Sequence, residues 1–183
     1  FVHGLYSVAL GRRPKFSEFN MDRNQLSDHG ADIEASHMAL ALAFAERPEF
    51  QRKFSHLKKQ EFVDSLISST TETTGVNLDS ERDALLALYD GTKEGHAKVL
   101  TRIITRPAFV DAQYNQTFVL MQYFAYLRRE PDKDGYDSWV NVLKNKPLRD
   151  RAAARSVVCA FLSSAEYQSR FAMVDAHNTS ACN

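Results

Sequence analysis

The sequence predicts an all-α fold, a compact multi-helix domain of about ten to eleven helices. Three observations predict it. Apolar residues recur at helical spacing through most of the chain. Gly and Pro fall between those stretches, where helices stop and start. No segment alternates polar and apolar residues as a half-buried strand would. A fourth feature sets the organisation. Residues 1–54 align with residues 118–171 without a gap, at a constant offset of 117, and 14 positions are identical. Among them are Tyr6/Tyr123, Arg12/Arg129, Pro14/Pro131, Phe44/Phe161 and Glu49/Glu166.

The first helix, residues 1–10, puts Val2, Leu5, Tyr6 and Ala9 on one stripe, and Gly11 and Pro14 end it. The second runs from about Glu18 to Leu26 with Ser17 as N-cap. The third, Ile33 to Glu46, is almost wholly apolar over Met38–Phe44, which places it centrally. Pro48 opens a short helix to Phe54, at the first-turn position that suits proline. A helix near Gln60–Ser69 follows. The Thr-rich stretch Ser69–Asn77 then reads as a surface loop and the best candidate linker. Further helices span Glu81–Tyr89, with Asp79 or Ser80 as cap, and Thr92–Thr105. Pro107 opens the longest helix, Ala108 to about Arg128. The last part repeats the first, with helices at 135–144, 149–162 and 164–171.

A blurred middle copy completes the pattern. Phe62-Val63 matches Phe1-Val2, and Arg106-Pro107-Ala108-Phe109 matches Arg47-Pro48-Glu49-Phe50. The chain therefore reads as a single helical domain, 1–175, of three related units of about 58 residues. The units are 1–57, 58–117 and 118–175, and 176–183 reads as a disordered tail. The chain starts abruptly inside a motif, which suggests a fragment of a larger protein.

Composition narrows the function classes. A hydrophobic content of 44% and a charged content of 25% suit a folded globular protein. Formal net charge is zero, so no electrostatic footprint for nucleic acid is present. No apolar run approaches the roughly 20 residues of a membrane span. Of the two cysteines, Cys159 reads as a small buried hydrophobe in a helix and Cys182 lies in the polar tail. Their pairing stays open.

No catalytic motif stands out, and no catalytic residue or cofactor is expected. The strongest chemical constellation is Glu130 to Asp137. Glu130, Asp132, Asp134 and Asp137 with Gly135 resemble a calcium loop, where closely spaced oxygens wrap a hard cation. The twelfth place is Asn141, not the bidentate Glu of an EF-hand. The preferred reading is a helix N-terminus, with Asp132 or Asp134 as cap. Glu34 and His37 share the Glu-x-x-His spacing of di-iron bundles, but no second such motif exists, so a polar helix face is preferred. The aromatic run Tyr123, Phe124 and Tyr126, with Trp139, reads as an interaction surface or a sugar platform, with burial in the core preferred. Arg12 and Arg129 end equivalent helices, and Glu49 and Glu166 are plausible partners in structural ion pairs.

The last unit also carries a resemblance. Tyr123, Leu127-Arg128-Arg129-Glu130-Pro131, Asp134-Gly135-Tyr136, Trp139, Ala160-Phe161 and Ser163-Ser164-Ala165-Glu166-Tyr167 resemble a bacterial family catalogued as domain of unknown function 4214. The sequence departs at Arg128, where that family has Gly. The first unit resembles a decayed copy that keeps Gly11-Arg12-x-Pro14. The family is helical, is distantly similar to phycobilisome linker repeats, and sits mostly in exported or surface bacterial proteins. The resemblance implies a non-catalytic protein-interaction or assembly module, secreted or at the cell surface, with a protein partner or self-assembly. A calcium- or carbohydrate-binding module is the runner-up, and a metal-dependent helical enzyme through Glu34 and His37 comes last.

Overall fold

The computed structural model describes residues 1–27, 32–171 and 182. Among them are twelve α-helices and no strand. The chain divides into two compact units, Phe1–Gln113 and Tyr114–Asn183.

In unit 1, α1 (Val2–Leu5) continues directly into a π-helical turn, Tyr6–Leu10. Gly11 then takes the left-handed conformation, φ 66°, and ends the helix. Gly4 lets α1 lie close to its neighbours. A Cβ there would stand 3.1 Å from both Ile104 Cβ and Phe109 Cε1. α2 (Phe16–Ser27) starts earlier than Ser17 because Glu18 accepts the Lys15 amide at 2.7 Å and caps the turn. α3 (Ile33–Ala45), capped by Asp32 on the Ala35 amide, is the central helix and packs on α7 (Lys93–Ile104). α4 (Pro48–Phe54) opens at proline as expected. Leu40, Phe44, Phe50, Phe54, Phe62 and Leu100 are fully buried around these helices.

Two sequence expectations fail here for identifiable reasons. The Thr-rich stretch is helix as far as Thr74, within α5 (Lys59–Thr74), and only Gly75 ends it. Thr70, Thr73 and Thr74 bond back to the carbonyls four residues earlier, each at 2.7 Å. Ser69 Oγ donates to Val8 O at 2.7 Å, tying α5 to the π turn. Hydroxyls that favour loops in isolation are satisfied inside the helix by packing. After α5 come a 3₁₀ turn (Asp79–Glu81), α6 (Arg82–Leu88) and α7, which Thr92 caps through the Gly95 amide. The expected long helix is also broken. α8 (Pro107–Ala112) stops at Gln113, whose side chain donates to Ser7 Oγ at 2.7 Å.

In unit 2, α9 (Tyr114–Gln122) runs into a second π turn, Tyr123–Leu127. α10 (Lys133–Lys144), α11 (Arg151–Leu162) and α12 (Ala165–Phe171) follow. Val119, Leu120, Leu127, Leu143, Val157 and Phe161 form the buried interior. The bounds of α10, α12 and this π turn each lie 117 residues beyond those of α2, α4 and the first π turn. The offset read from sequence identity therefore extends to backbone conformation. Arg128, 117 beyond Gly11, is also left-handed at φ 50°.

The disulfide left open by the sequence is formed, between Cys159 and Cys182. Cys159 is half-buried on α11 and is a crosslink, where the sequence suggested a free core thiol. The sequence-predicted tail, 176–183, lies outside the described residues apart from Cys182.

Candidate functional site

Each unit holds an arginine clamp. The residue after the left-handed position is Arg12 in unit 1 and Arg129 in unit 2. Arg12 Nε and Nη2 donate to both carboxylate oxygens of Glu49 on α4, at 3.0 and 2.6 Å. Arg129 Nε and Nη2 donate to both oxygens of Glu166 on α12, each at 2.7 Å. Fork-on-fork geometry is the strong form of an ion pair. Each arginine also lies over the tyrosine of its π turn, Arg12 at 5.0 Å from the Tyr6 centroid and Arg129 at 5.2 Å from Tyr123. Hydrogen bonds from Arg129 hold the Glu166 carboxyl below its ordinary range, and those from Arg12 do the same for Glu18 and Glu49. The expected structural pairs are present. They brace the π turn after α1 against α4 in unit 1, and the π turn after α9 against α12 in unit 2.

Beside each clamp the units diverge. Tyr6 and Phe44 meet edge-to-face at 5.1 Å, and Tyr123 and Phe161 do so at 4.9 Å. In unit 1 the space next to that pair is filled by Asp22 and Arg47. Asp22 is fully buried, and it accepts from Tyr6 Oη at 3.0 Å and from both Arg47 Nη atoms. Arg47 Nη1 also donates to Tyr6 Oη at 2.6 Å. In unit 2 the equivalent positions are Trp139 and Ser164. A recess of about 170 Å³ remains there, lined by Tyr123, Leu127, Arg129, Trp139, Ala160, Phe161, Ser164 and Glu166. The half-buried Trp139 lies 5.6 Å from Phe161, tilted by 42°.

Residues 105–171 match the family model described as Domain of unknown function (DUF4214). The matched stretch runs from the last residues of unit 1 through α12, and it contains the Arg129–Glu166 clamp, the recess and Trp139. No curated protein and no solved structure matches the chain.

The remaining sequence-predicted residues fall around this site or away from it. Of the expected aromatic surface, Tyr123 and Phe124 are buried, each 4% exposed, so neither is a surface. The π turn rotates both rings inward, where Tyr123 meets Phe161. Tyr126 is half-buried and packs edge-on to Tyr167 at 6.0 Å. Only Trp139, from that set, combines partial exposure with a recess. Asp132 caps α10, accepting the Gly135 amide at 2.8 Å, and its carboxyl is held low by that bond. Asp137 pairs with Lys133 at 2.7 Å. The structure does not gather Glu130, Asp132, Asp134 and Asp137, and no group of three or more His, Cys, Asp or Glu among the described residues could hold a metal ion. The helix-cap reading is the one the geometry follows.

Glu34 and His37 do share a cavity. They line a groove of about 500 Å³ in unit 1, with Met38 on α3, Leu88 on α6, and Lys98, Thr101, Arg102 and Thr105. His37 stacks on the Phe1 ring at 3.9 Å, which uses its face for packing.

Sequence reasoning missed Asp22, Arg47 and Ser164. Their signal was in the aligned halves. Asp22/Trp139 and Arg47/Ser164 change together beside an identical Tyr–Phe pair, as positions that share one space do.

Proposed function

We propose that this chain is a non-catalytic protein-interaction or assembly module of an exported or cell-surface bacterial protein, built from repeated helical units. Residues 58–117 form the divergent middle unit in this reading. One observation carries it. What the two aligned halves share is bracing, namely the Arg–Glu clamp, the Tyr–Phe pair and the helix bounds. Among the positions that differ, Asp22/Trp139 and Arg47/Ser164 change the side-chain filling of one surface recess. A fixed scaffold with one altered concave surface suits recognition, where orientation comes from rigid elements and specificity from a few side chains. The Cys159–Cys182 disulfide supports an oxidising compartment, and so export.

Site-specific photo-cross-linking tests the reading. A benzophenone side chain at Val140, beside Trp139, should capture a discrete protein on intact bacterial cells, and the same group at Gln60 should not. The reading fails if neither position captures protein and the purified chain turns over a substrate at a rate that one polar substitution abolishes.

A further inference from the structure

Unit 1 shows what fills the recess when it is filled from within. The Arg47 guanidinium lies 4.9 Å from the Phe44 centroid and 5.9 Å from Tyr6. It is a cation on an aromatic wall, held by a buried carboxylate. Unit 2 keeps the same wall as Tyr123 and Phe161, with Arg129 over Tyr123 as Arg12 is over Tyr6, but it has no counterpart of Arg47, because the Ser164 side chain is short and uncharged. It has also replaced the carboxylate with Trp139, and indole is the best aromatic partner for a cation.

The size and charge of the recess agree. About 170 Å³ holds several water molecules, and therefore one planar head group. The charges that line it balance. Arg129 and Glu166 are its two charged lining residues, and they pair at 2.7 Å. An incoming cation therefore meets no net positive field from these two groups. A guanidinium also suits the shape, since it is flat and weakly hydrated and stacks on aromatic faces in a way that an ammonium does not.

We infer that the unit 2 recess binds the guanidinium of an arginine side chain presented by a partner protein, in the role Arg47 fills within unit 1. The inference rests on the interaction-module reading and names the chemistry its partner must show.

Trp139 is the chain's single tryptophan, so fluorescence excited selectively in the tryptophan band, beyond tyrosine absorption, reads this recess. The 183-residue chain is titrated with N-acetyl-arginine amide and, separately, with its neutral isostere N-acetyl-citrulline amide. Arginine amide should change the emission saturably with a Kd on the order of millimolar. The citrulline compound should bind at least about tenfold more weakly, because it lacks the charge. Ser164→Arg, which supplies the guanidinium from within, should abolish the response while circular dichroism stays helical. If that variant does not fold, Ser164→Gln, which fills the same space without charge, should weaken binding at least about threefold. Equal binding of both amides overturns the inference, as does a flat arginine titration to about 0.1 M or an undiminished response in the folded position-164 variant. Cross-linking of a protein at Val140 alongside a flat titration overturns this inference while the interaction reading stands.

Discussion

Asp22→Ala removes a carboxylate that has no exposure at all. Three donors lose their acceptor at once: Tyr6 Oη and the two Nη groups of Arg47. The half-buried Arg47 is left with Tyr6 Oη at 2.6 Å and no counter-charge. Breaking a buried pair from one side costs about 3–5 kcal/mol, because the surviving charge stays desolvated. Domains are stable by only about 5–15 kcal/mol, so the loss is a large fraction of the total. It corresponds to a fall in Tm on the order of 10–20 °C. Removing both partners should cost less. Asp22→Ala with Arg47→Leu should cost at least about 2 kcal/mol less than the sum of the two single losses, since no orphaned charge remains. Urea unfolding at pH 7, followed by far-ultraviolet circular dichroism, measures all four proteins. An Asp22→Ala variant within about 1 kcal/mol of the parent, or strictly additive losses, would refute the argument.

Acid should destabilise the chain in two stages. Burial pushes the His3 imidazole down to about 4 from its ordinary 6.5. Its neutral form is the one the fold favours, so its contribution is full above 6.5 and is lost as pH falls toward 4. At about 1.4 kcal/mol per pH interval the loss reaches roughly 3 kcal/mol, and His3→Leu should make the profile shallower across that window, with His37 and His96, also held low by burial, supplying the rest. Glu18, Glu49 and Glu166 are held low by their arginines, so their contribution is present above the ordinary glutamate range and disappears below it. Exposure limits each clamp to about 1 kcal/mol, and Arg129→Met should remove only the Glu166 share of this lower part of the fall, leaving the Arg12 share. Reducing the Cys159–Cys182 bond, which closes a loop with a sequence separation of 23, should cost about 3 kcal/mol in urea unfolding, and Cys182→Ser should reproduce it. Arg128→Gly should stabilise by about 0.5–1 kcal/mol, because a left-handed arginine carries strain that outweighs its contact 5.4 Å over the Phe171 ring. Arg128→Ala keeps the strain and loses the contact, so it should be the less stable of the two.

The helices were largely legible because Pro48, Gly11, Thr92 and the apolar spacing act locally. The Arg12–Glu49 and Arg129–Glu166 pairs were legible because repetition at one offset marks residues that meet. The Thr-rich end of α5 was not legible, since its hydroxyls prefer loops until Val8 and the carboxyl-terminal carbonyls of its own helix satisfy them. The break at Gln113 was hidden for a similar reason, because a distant hydroxyl, Ser7, fixes it. The recess was half legible. Trp139 stood out as present in one half only, but an absence cannot be seen in one chain. It took Arg47 in the other half to show what Ser164 leaves out. For the aromatic run the preferred reading is the core, and Tyr123 and Phe124 are buried there.

The central claim is that unit 2 carries, open, the site that unit 1 closes with its own Asp–Arg pair. A double-mutant cycle at the two exchanged positions tests it. Trp139→Asp, Ser164→Arg and the double variant are unfolded in urea and followed by circular dichroism. Each single change should destabilise, and Ser164→Arg also removes the hydroxyl that accepts the Tyr167 amide at 3.1 Å and caps α12, a loss of about 1 kcal/mol. The double variant should recover at least about 2 kcal/mol over the sum of the singles, as a rebuilt Asp–Arg pair beside Tyr123 requires. Losses that add within about 0.5 kcal/mol would contradict the claim.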